Sequence, residues 1–228
     1  MPIYAIADLH LSLASDKPMD VFGETWRGHM DKIEKNWCEV VSQDDLVLIP
    51  GDISWAMQLT AALPDLSFIG KLPGKKILLK GNHDYWWSAI GRVRAALPEG
   101  MHALQNDSFV ENDVGICGSR GWLCPGSSNF SQDDEKIYLR ELDRLSLSLR
   151  SLPVMDRKIA MMHFPPFSDK DRASGFTERL EEAGVQIVVY GHLHGEANRY
   201  AFEGERNGVT YHCVAADKIG FTPKRISG

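Results

Sequence analysis

Lys76-Ile77-Leu78-Leu79-Lys80-Gly81-Asn82-His83-Asp84 is a short apolar run that stops at a glycine and then delivers an amide, an imidazole and a carboxylate. Residues 77–80 are too few for a stable helix and read as a buried strand. Four other runs share this construction. Ile3-Tyr4-Ala5-Ile6-Ala7 leads to Asp8-Leu9-His10, and Leu46-Val47-Leu48-Ile49-Pro50 leads to Gly51-Asp52. Ile159-Ala160-Met161-Met162 leads to His163-Phe164-Pro165-Pro166, and Ile187-Val188-Val189-Tyr190 leads to Gly191-His192-Leu193-His194. In open α/β sheets the functional crevice lies beyond the carboxyl ends of the strands. Parallel pairing of these runs would bring all five loop starts to one edge.

The segments between them carry helical patterns. Met30, Ile33, Trp37, Val40 and Val41 share one helix face. Residues 57–69 predict a second helix, with a break or restart at Pro64. Residues 86–97 predict a third, closed by Pro98. Ser131 suits the N-cap of a fourth, with Asp133, Asp134 and Glu135 in its first turn. Tyr138, Leu142, Leu145, Leu149 and Leu152 form its apolar face, and Pro153 ends it. Residues 177–183 predict a fifth. Short strands are expected at 108–111 and 114–118, and a hairpin over 200–213 turning at 205–208. Strands alternating with helices define an α/β class, and residues 1–228 are expected to form one domain.

Composition narrows the function. The chain has 228 residues, 43% hydrophobic and 25% charged, enough for a substantial core and unlike disordered or collagenous chains. Its longest apolar runs are about six residues, against roughly 20 for a membrane span. The first ten residues lack a basic segment and a long apolar segment, so no signal peptide is expected. The net charge of -6, from 25 Lys+Arg and 31 Asp+Glu, suits nucleic-acid binding poorly. A nuclease is still allowed, because metal ions can supply positive charge locally. Cys38, Cys117, Cys124 and Cys213 form no C-x-x-C pair and are expected as reduced thiols in a cytoplasmic protein.

Asp8, His10, Asp52, Asn82, His163, His192 and His194 offer seven ligand side chains, where a tetrahedral structural zinc needs four. Seven donors with a bridging carboxylate suit two divalent ions about 3.5–4 Å apart. If the D-x-H and H-x-H segments are extended, their alternate residues face one side. Two aspartates and two divalent ions, less one for a bridging hydroxide, leave one net positive charge facing a substrate. Such a centre attracts phosphate and lowers the pKa of bound water toward about 7. The expected reaction is phosphate-ester hydrolysis by in-line attack of a metal hydroxide. His83 is expected as general acid for the leaving oxygen, with Asp84 orienting it.

The ordered set D-x-H, G-D, G-N-H-D, H and G-H-x-H resembles the calcineurin-like metallophosphoesterase superfamily. The resemblance runs from Asp8 to His194. It implies two stacked mixed β-sheets flanked by helices. It also implies one metal at Asp8, His10, Asp52 and His194, a second at Asp52, Asn82, His163 and His192, and His83 near the leaving group. Manganese, iron, zinc and nickel all suit such donors. Two departures are informative. The second motif continues Ile53-Ser54-Trp55 rather than toward the D-R-G of protein phosphatases. Trp55 also stands where purple acid phosphatases place a ligating tyrosine, so no tyrosinate-to-iron absorption is expected.

The implied partner is a small phosphorylated substrate, with no membrane and with nucleic acid disfavoured. A nucleotide or nucleic-acid phosphodiesterase is the alternative enzyme, and a non-catalytic interaction module the alternative of another class. Arg120, between glycines 118 and 121, would either bind substrate phosphate or form an ion pair. Trp55, Tyr85, Trp86, Trp87 and Trp122 would either line a stacking wall or pack in the core. His29, His102 and His212 take ordinary structural roles. Selectivity is expected from loops such as residues 119–131.

Overall fold

A computed structural model describes residues 1–14, 17–170 and 172–227. The elements in chain order are β1 (Ile3–Ala5), α1 (His29–Val40), β2 (Leu46–Pro50), α2 (Leu59–Lys71), β3 (Lys75–Leu79), α3 (Ile90–Ala96) and β4 (Met101–Leu104). There follow β5 (Phe109–Glu111), β6 (Val114–Ser119), α4 (Gln132–Arg150), β7 (Arg157–Met162), α5 (Gly175–Glu182) and β8 (Ile187–Tyr190). The chain ends with β9 (Gly204–Arg206), β10 (Val209–Cys213) and β11 (Lys224–Ser227).

These strands build two mixed sheets. The first has the order β11-β1-β2-β3-β4, with β1 to β4 parallel and β11 antiparallel at the edge. The second has the order β5-β6-β7-β8-β10-β9, with a parallel centre and antiparallel edges β5 and β9. Alternation along β2 explains the stacking. Val47 and Ile49 face a core shared with Ile33, Trp37, Leu66 and Val93 of α1, α2 and α3. Leu46 and Leu48 face the other way, onto Ile116, Ile159, Met161 and Val189 of the second sheet. The far face of that sheet packs on Leu142, Leu145, Phe176 and Leu180 of α4 and α5. The result is four layers, helices on sheet on sheet on helices. Strands buried on both faces read as continuous apolar runs, which is why they were legible.

The helices differ from expectation in two places. Pro64 does not break α2, which runs through it. Pro64 and Thr60, whose carbonyl loses its donor, both lie on the solvent side, where water can replace the missing bond. The third helix starts at Ile90 rather than near Trp86. The indole N–H groups of Trp86 and Trp87 are taken by Asp84 at 2.8 Å and Gln105 at 2.9 Å, which hold that stretch as a turn. Ser131 caps α4 as expected, its N–H donating to the Asp134 carboxylate at 2.9 Å. The hairpin forms between β9 and β10.

The sheets join at the end that matters for function. Ala7 N–H donates to the Val214 carbonyl at 2.8 Å, and Ala216 N–H to the Ala7 carbonyl at 3.0 Å. This bridge lies at the carboxyl ends of β1 and β10, one from each sheet. No helix among the described residues is long and apolar enough to cross a membrane.

Candidate metal centre

The chain segments that follow β1, β2 and β3 in one sheet and β7 and β8 in the other meet above this bridge. Asp8 N–H donates to the Gly51 carbonyl at 2.9 Å and His10 N–H to the Asp52 carbonyl at 3.0 Å, so the first two motifs run side by side. Asp8 and His10 are not in an extended segment, as the D-x-H reading expected. Their φ angles are 60° and 45°, and Asp52 and His192 follow at 51° and 73°. Four of the seven predicted ligands thus occupy the left-handed region, a strained conformation for residues with a Cβ. The surrounding hydrogen bonds and packing maintain it, and it turns the side chains inward. Glycine is needed nearby for space. A Cβ on Gly81 would collide with the Asp52 carboxylate, and one on Gly191 with that of Asp8.

All seven side chains converge. Oδ2 of Asp52 lies 3.8 Å from Nε2 of His10 and 3.4 Å from Nε2 of His163. Oδ1 of Asp8 lies 3.6 Å from Nε2 of His194. Oδ1 of Asn82 lies 2.6 Å from Nε2 of His163 and 3.0 Å from Nδ1 of His192. Potential ligand atoms of Asp8, His10 and His194 form one compact group, and those of Asp8, Asp52 and His163 another. The Asp52 oxygen therefore stands between an imidazole of each set, the position the resemblance implies for a bridging ligand.

These residues fit cations. Asp8 and Asp52 are buried, and a buried carboxylate needs a compensating charge. Nε2 of His194 is buried without a hydrogen-bond partner and faces Asp8 at a distance too long for one. Burial raises the Asp8 carboxyl above its usual range, whereas at Asp52 the charge of His163 overcomes burial and holds the carboxyl well below it. Burial likewise opposes charge on His163, but Asp52 and Asp8 prevail and raise it to about 9. At His194, Asp217 and Asp8 overcome burial and raise it to about 10. Burial lowers His10 and His192 to about 3. Each raised imidazole thus faces carboxyl groups, His163 those of Asp52 and Asp8, and His194 those of Asp217 and Asp8.

Asp217, which follows β10, was not singled out from the sequence. Its Oδ1 accepts from Nδ1 of His194 at 3.0 Å, while Oδ2 takes Gly195 N–H at 2.8 Å and the Asn198 amide at 2.9 Å. A carboxylate on Nδ1 leaves Nε2 free to ligate and fixes the ring. The Pro50 carbonyl does the same for His163, 3.0 Å from its Nδ1. An acidic residue just after a strand was the available signal for Asp217.

Asp84 does not orient His83. It is fully buried, and its Oδ1 accepts from Ile53 N–H at 2.9 Å, Ser54 N–H at 3.2 Å and the Trp86 indole at 2.8 Å. Its Oδ2 accepts from Gly81 N–H at 2.8 Å. These four donors come from the loops around it and none is the His83 ring, so Asp84 ties the second motif to the third. Burial raises its carboxyl to about 6. The His83 ring instead lies 4.7 Å from Trp55, which also stacks on His10 at 4.7 Å. His83 N–H donates to Oδ1 of Asp52 at 2.8 Å, which places the residue beside the centre.

Arg120 forms the ion pair that was one of its two expected roles. Its guanidinium lies 3.0 Å from the buried Glu141, which also pairs with Arg144 at 2.8 Å. Its carbonyl accepts from His163 N–H at 3.1 Å, so the backbone of Arg120 supports the centre. Of the aromatic residues, Trp86 and Trp87 are core, Tyr85 is exposed, and Trp55 and Trp122 line separate cavities. His29 supports the loop after β1, its Nε2 lying 3.3 Å from the His10 carbonyl, and His102 packs on Phe109.

A family model for calcineurin-like phosphoesterases matches residues 1–196, and the chain belongs to that family. It is 25% identical over 214 residues to the Gene 66 protein of Mycobacterium phage D29, covering 90% of this chain and 84% of the relative. Two solved structures share the fold. The phosphopantetheinyl hydrolase of Mycobacterium tuberculosis matches with a TM-score of 0.56 at 15% identity, over 94% of this chain and 89% of its own. A protein of unknown function from Aquifex aeolicus matches at 0.52 and 16%, over 98% and 94%.

Proposed function

We propose that this chain is a metal-dependent phosphohydrolase of small phosphate esters. Asp8, His10, Asp52 and His194 would hold one divalent ion, and Asp52, Asn82, His163 and His192 a second. When bound, the two ions supply the charge that holds a phosphate and a water acidic enough to attack it at neutral pH. The carrying observation is Asp52, whose one oxygen lies 3.8 Å and 3.4 Å from imidazoles of the two sets.

The protein groups then have separate tasks. Asp217 and the Pro50 carbonyl keep His194 and His163 in the ligating tautomer. His83 carries the proton to the departing oxygen, its ring restrained by Trp55. Asn82 adds an amide close to the developing charge. The complete donor set speaks against a non-catalytic module, and the net charge of -6 against a polymeric nucleic-acid substrate. Four unpaired thiols support a cytoplasmic setting.

The test is turnover of 4-nitrophenyl esters by protein stripped with chelator and then reloaded separately with manganese, zinc, iron or nickel. Activity that vanishes on stripping and returns with a metal supports the reading. Inactivity with every metal refutes it.

A further inference from the structure

We propose that the ester this centre cleaves is a phosphodiester carrying an uncharged, apolar or aromatic group on each side of phosphorus. The inference rests on the hydrolase reading and names its substrate class.

Two cavities flank the ligand cluster, and they share no lining residue. One, of about 350 Å³, is bounded by His10, His83 and His194 and walled by Phe22, Trp26 and Trp55. The other, of about 330 Å³, meets the centre at His192 and is walled by Trp122, Phe164, Tyr200 and Phe202. Phe164 packs on the His192 ring at 3.9 Å between centroids, so the apolar wall is continuous with a ligand. The ligand side chains form a chain between the cavities. From His192 it passes to Asn82 at 3.0 Å, His163 at 2.6 Å, Asp52 at 3.4 Å and His10 at 3.8 Å. A phosphate on this cluster has an apolar cavity toward each end of it. A monoester would fill one and leave the other to water.

Charge favours the same answer. A diester carries one negative charge and a monoester close to two at neutral pH. No lysine or arginine lines either cavity among the described residues. Lys17, Arg199 and Arg206 lie over aromatic rings of the walls without lining them. Asp169, the one carboxylate among the described residues that line the second cavity, is held by Ser128 N–H at 2.7 Å and would repel an anionic group. The walls therefore suit neutral substituents. Because His83 lines the first cavity, the leaving group belongs there and the retained group beside His192. Hydrolysis adds one water to phosphorus and breaks one P–O ester bond. The alcohol departs with the His83 proton, and a monoester stays behind.

The experiment compares bis(4-nitrophenyl) phosphate with 4-nitrophenyl phosphate on the metal-loaded protein. It is repeated for Phe22→Ala and Tyr200→Ala, whose side chains are 65% and 62% exposed and carry little of the fold. The diester should have the higher kcat/KM. Tyr200→Ala, on the side of the retained group, should lower diester kcat/KM by about tenfold, chiefly through KM, and move the monoester less than about twofold, whereas Phe22→Ala, on the side of the leaving group, should lower both. Diphenyl phosphate should quench tryptophan fluorescence of the zinc-loaded protein at lower concentration than phenyl phosphate. Metal uptake with preferred monoester turnover, or a diester preference unmoved by Tyr200→Ala, overturns this inference alone. Failure to take up metal or to cleave either ester refutes the hydrolase reading and this inference with it.

Discussion

Asp217→Asn changes one atom of the carboxylate that holds His194, and its effect can be worked out bond by bond. In the native protein Oδ2 of Asp217 accepts two donors, Gly195 N–H and the Asn198 amide, while Oδ1 accepts Nδ1–H of His194. The asparagine oxygen will keep the two-donor position, because an NH₂ group there would face two donors. Its NH₂ group then faces Nδ1 of His194. The imidazole can accept that bond only by moving its proton to Nε2, the atom that lies 3.6 Å from Asp8 and would bind the proposed metal. Loss of such an orienting partner costs tenfold to a hundredfold in metal affinity as an order of magnitude. That range corresponds to about 1.4–2.7 kcal/mol. Because Asn also stabilises the wrong tautomer, it belongs at the upper end, and Asp217→Ala, which merely frees the ring, at the lower. Competition against a chromogenic chelator measures both, with melting temperature as the control for folding. Only one of the two zinc affinities, that of the site His194 would serve, should move. Unchanged affinities, or an Ala variant weaker than the Asn variant in an intact fold, would refute the reasoning.

Other perturbations separate further parts of the account. His83→Ala should slow esters of aliphatic alcohols by about 100-fold while sparing nitrophenyl esters, whose leaving group departs without a proton; equal losses on both would remove His83 as the acid. Asp84→Ala strands four buried N–H donors, at about 1–3 kcal/mol each before any relaxation. It should therefore lower the denaturation midpoint sharply and affect both kinds of ester alike, whereas a stable variant impaired only on poor leaving groups would restore it as the partner of His83. In the metal-free protein, His163 and His194 titrate at about 9 and 10, above the usual 6.5. Their protonated forms stabilise the fold fully below pH 6.5, and that contribution is lost as pH rises through 9 and 10. The melting temperature of the stripped protein should fall across this window by more than that of the metal-loaded protein, and parallel curves would contradict the assigned charge states.

Much of this site is local in sequence, and that part was legible. Each proposed ligand lies within five residues of a strand end, and strands buried on both faces leave an unambiguous apolar signature. The unread parts depend on partners distant in the chain. Asp217 acts on His194, 23 positions earlier, and its place after a strand does not say which residue it serves. Asp84 adjoins His83, so proximity suggested a dyad, yet two of its donors come from residues 53 and 54. Arg120 looked free for substrate because Glu141 enters from a helix 21 residues away. The short strands β4 and β11 were missed for a similar reason. Met101-His102-Ala103-Leu104 and Lys224-Arg225-Ile226-Ser227 have little β-character alone and are recruited by pairing with β3 and β1. The left-handed backbone at Asp8, His10, Asp52 and His192 leaves little compositional trace, since aspartate and histidine adopt it more often than most residues but are far commoner outside it.

The central claim is that seven side chains hold two ions through a shared Asp52. Elemental analysis of protein loaded with a single metal and desalted, for the native chain and for Asp52→Ala, tests it directly. Two ions per chain in the native protein and at most one after the substitution is the predicted result. One ion or none in the native protein, or two retained without Asp52, would contradict it.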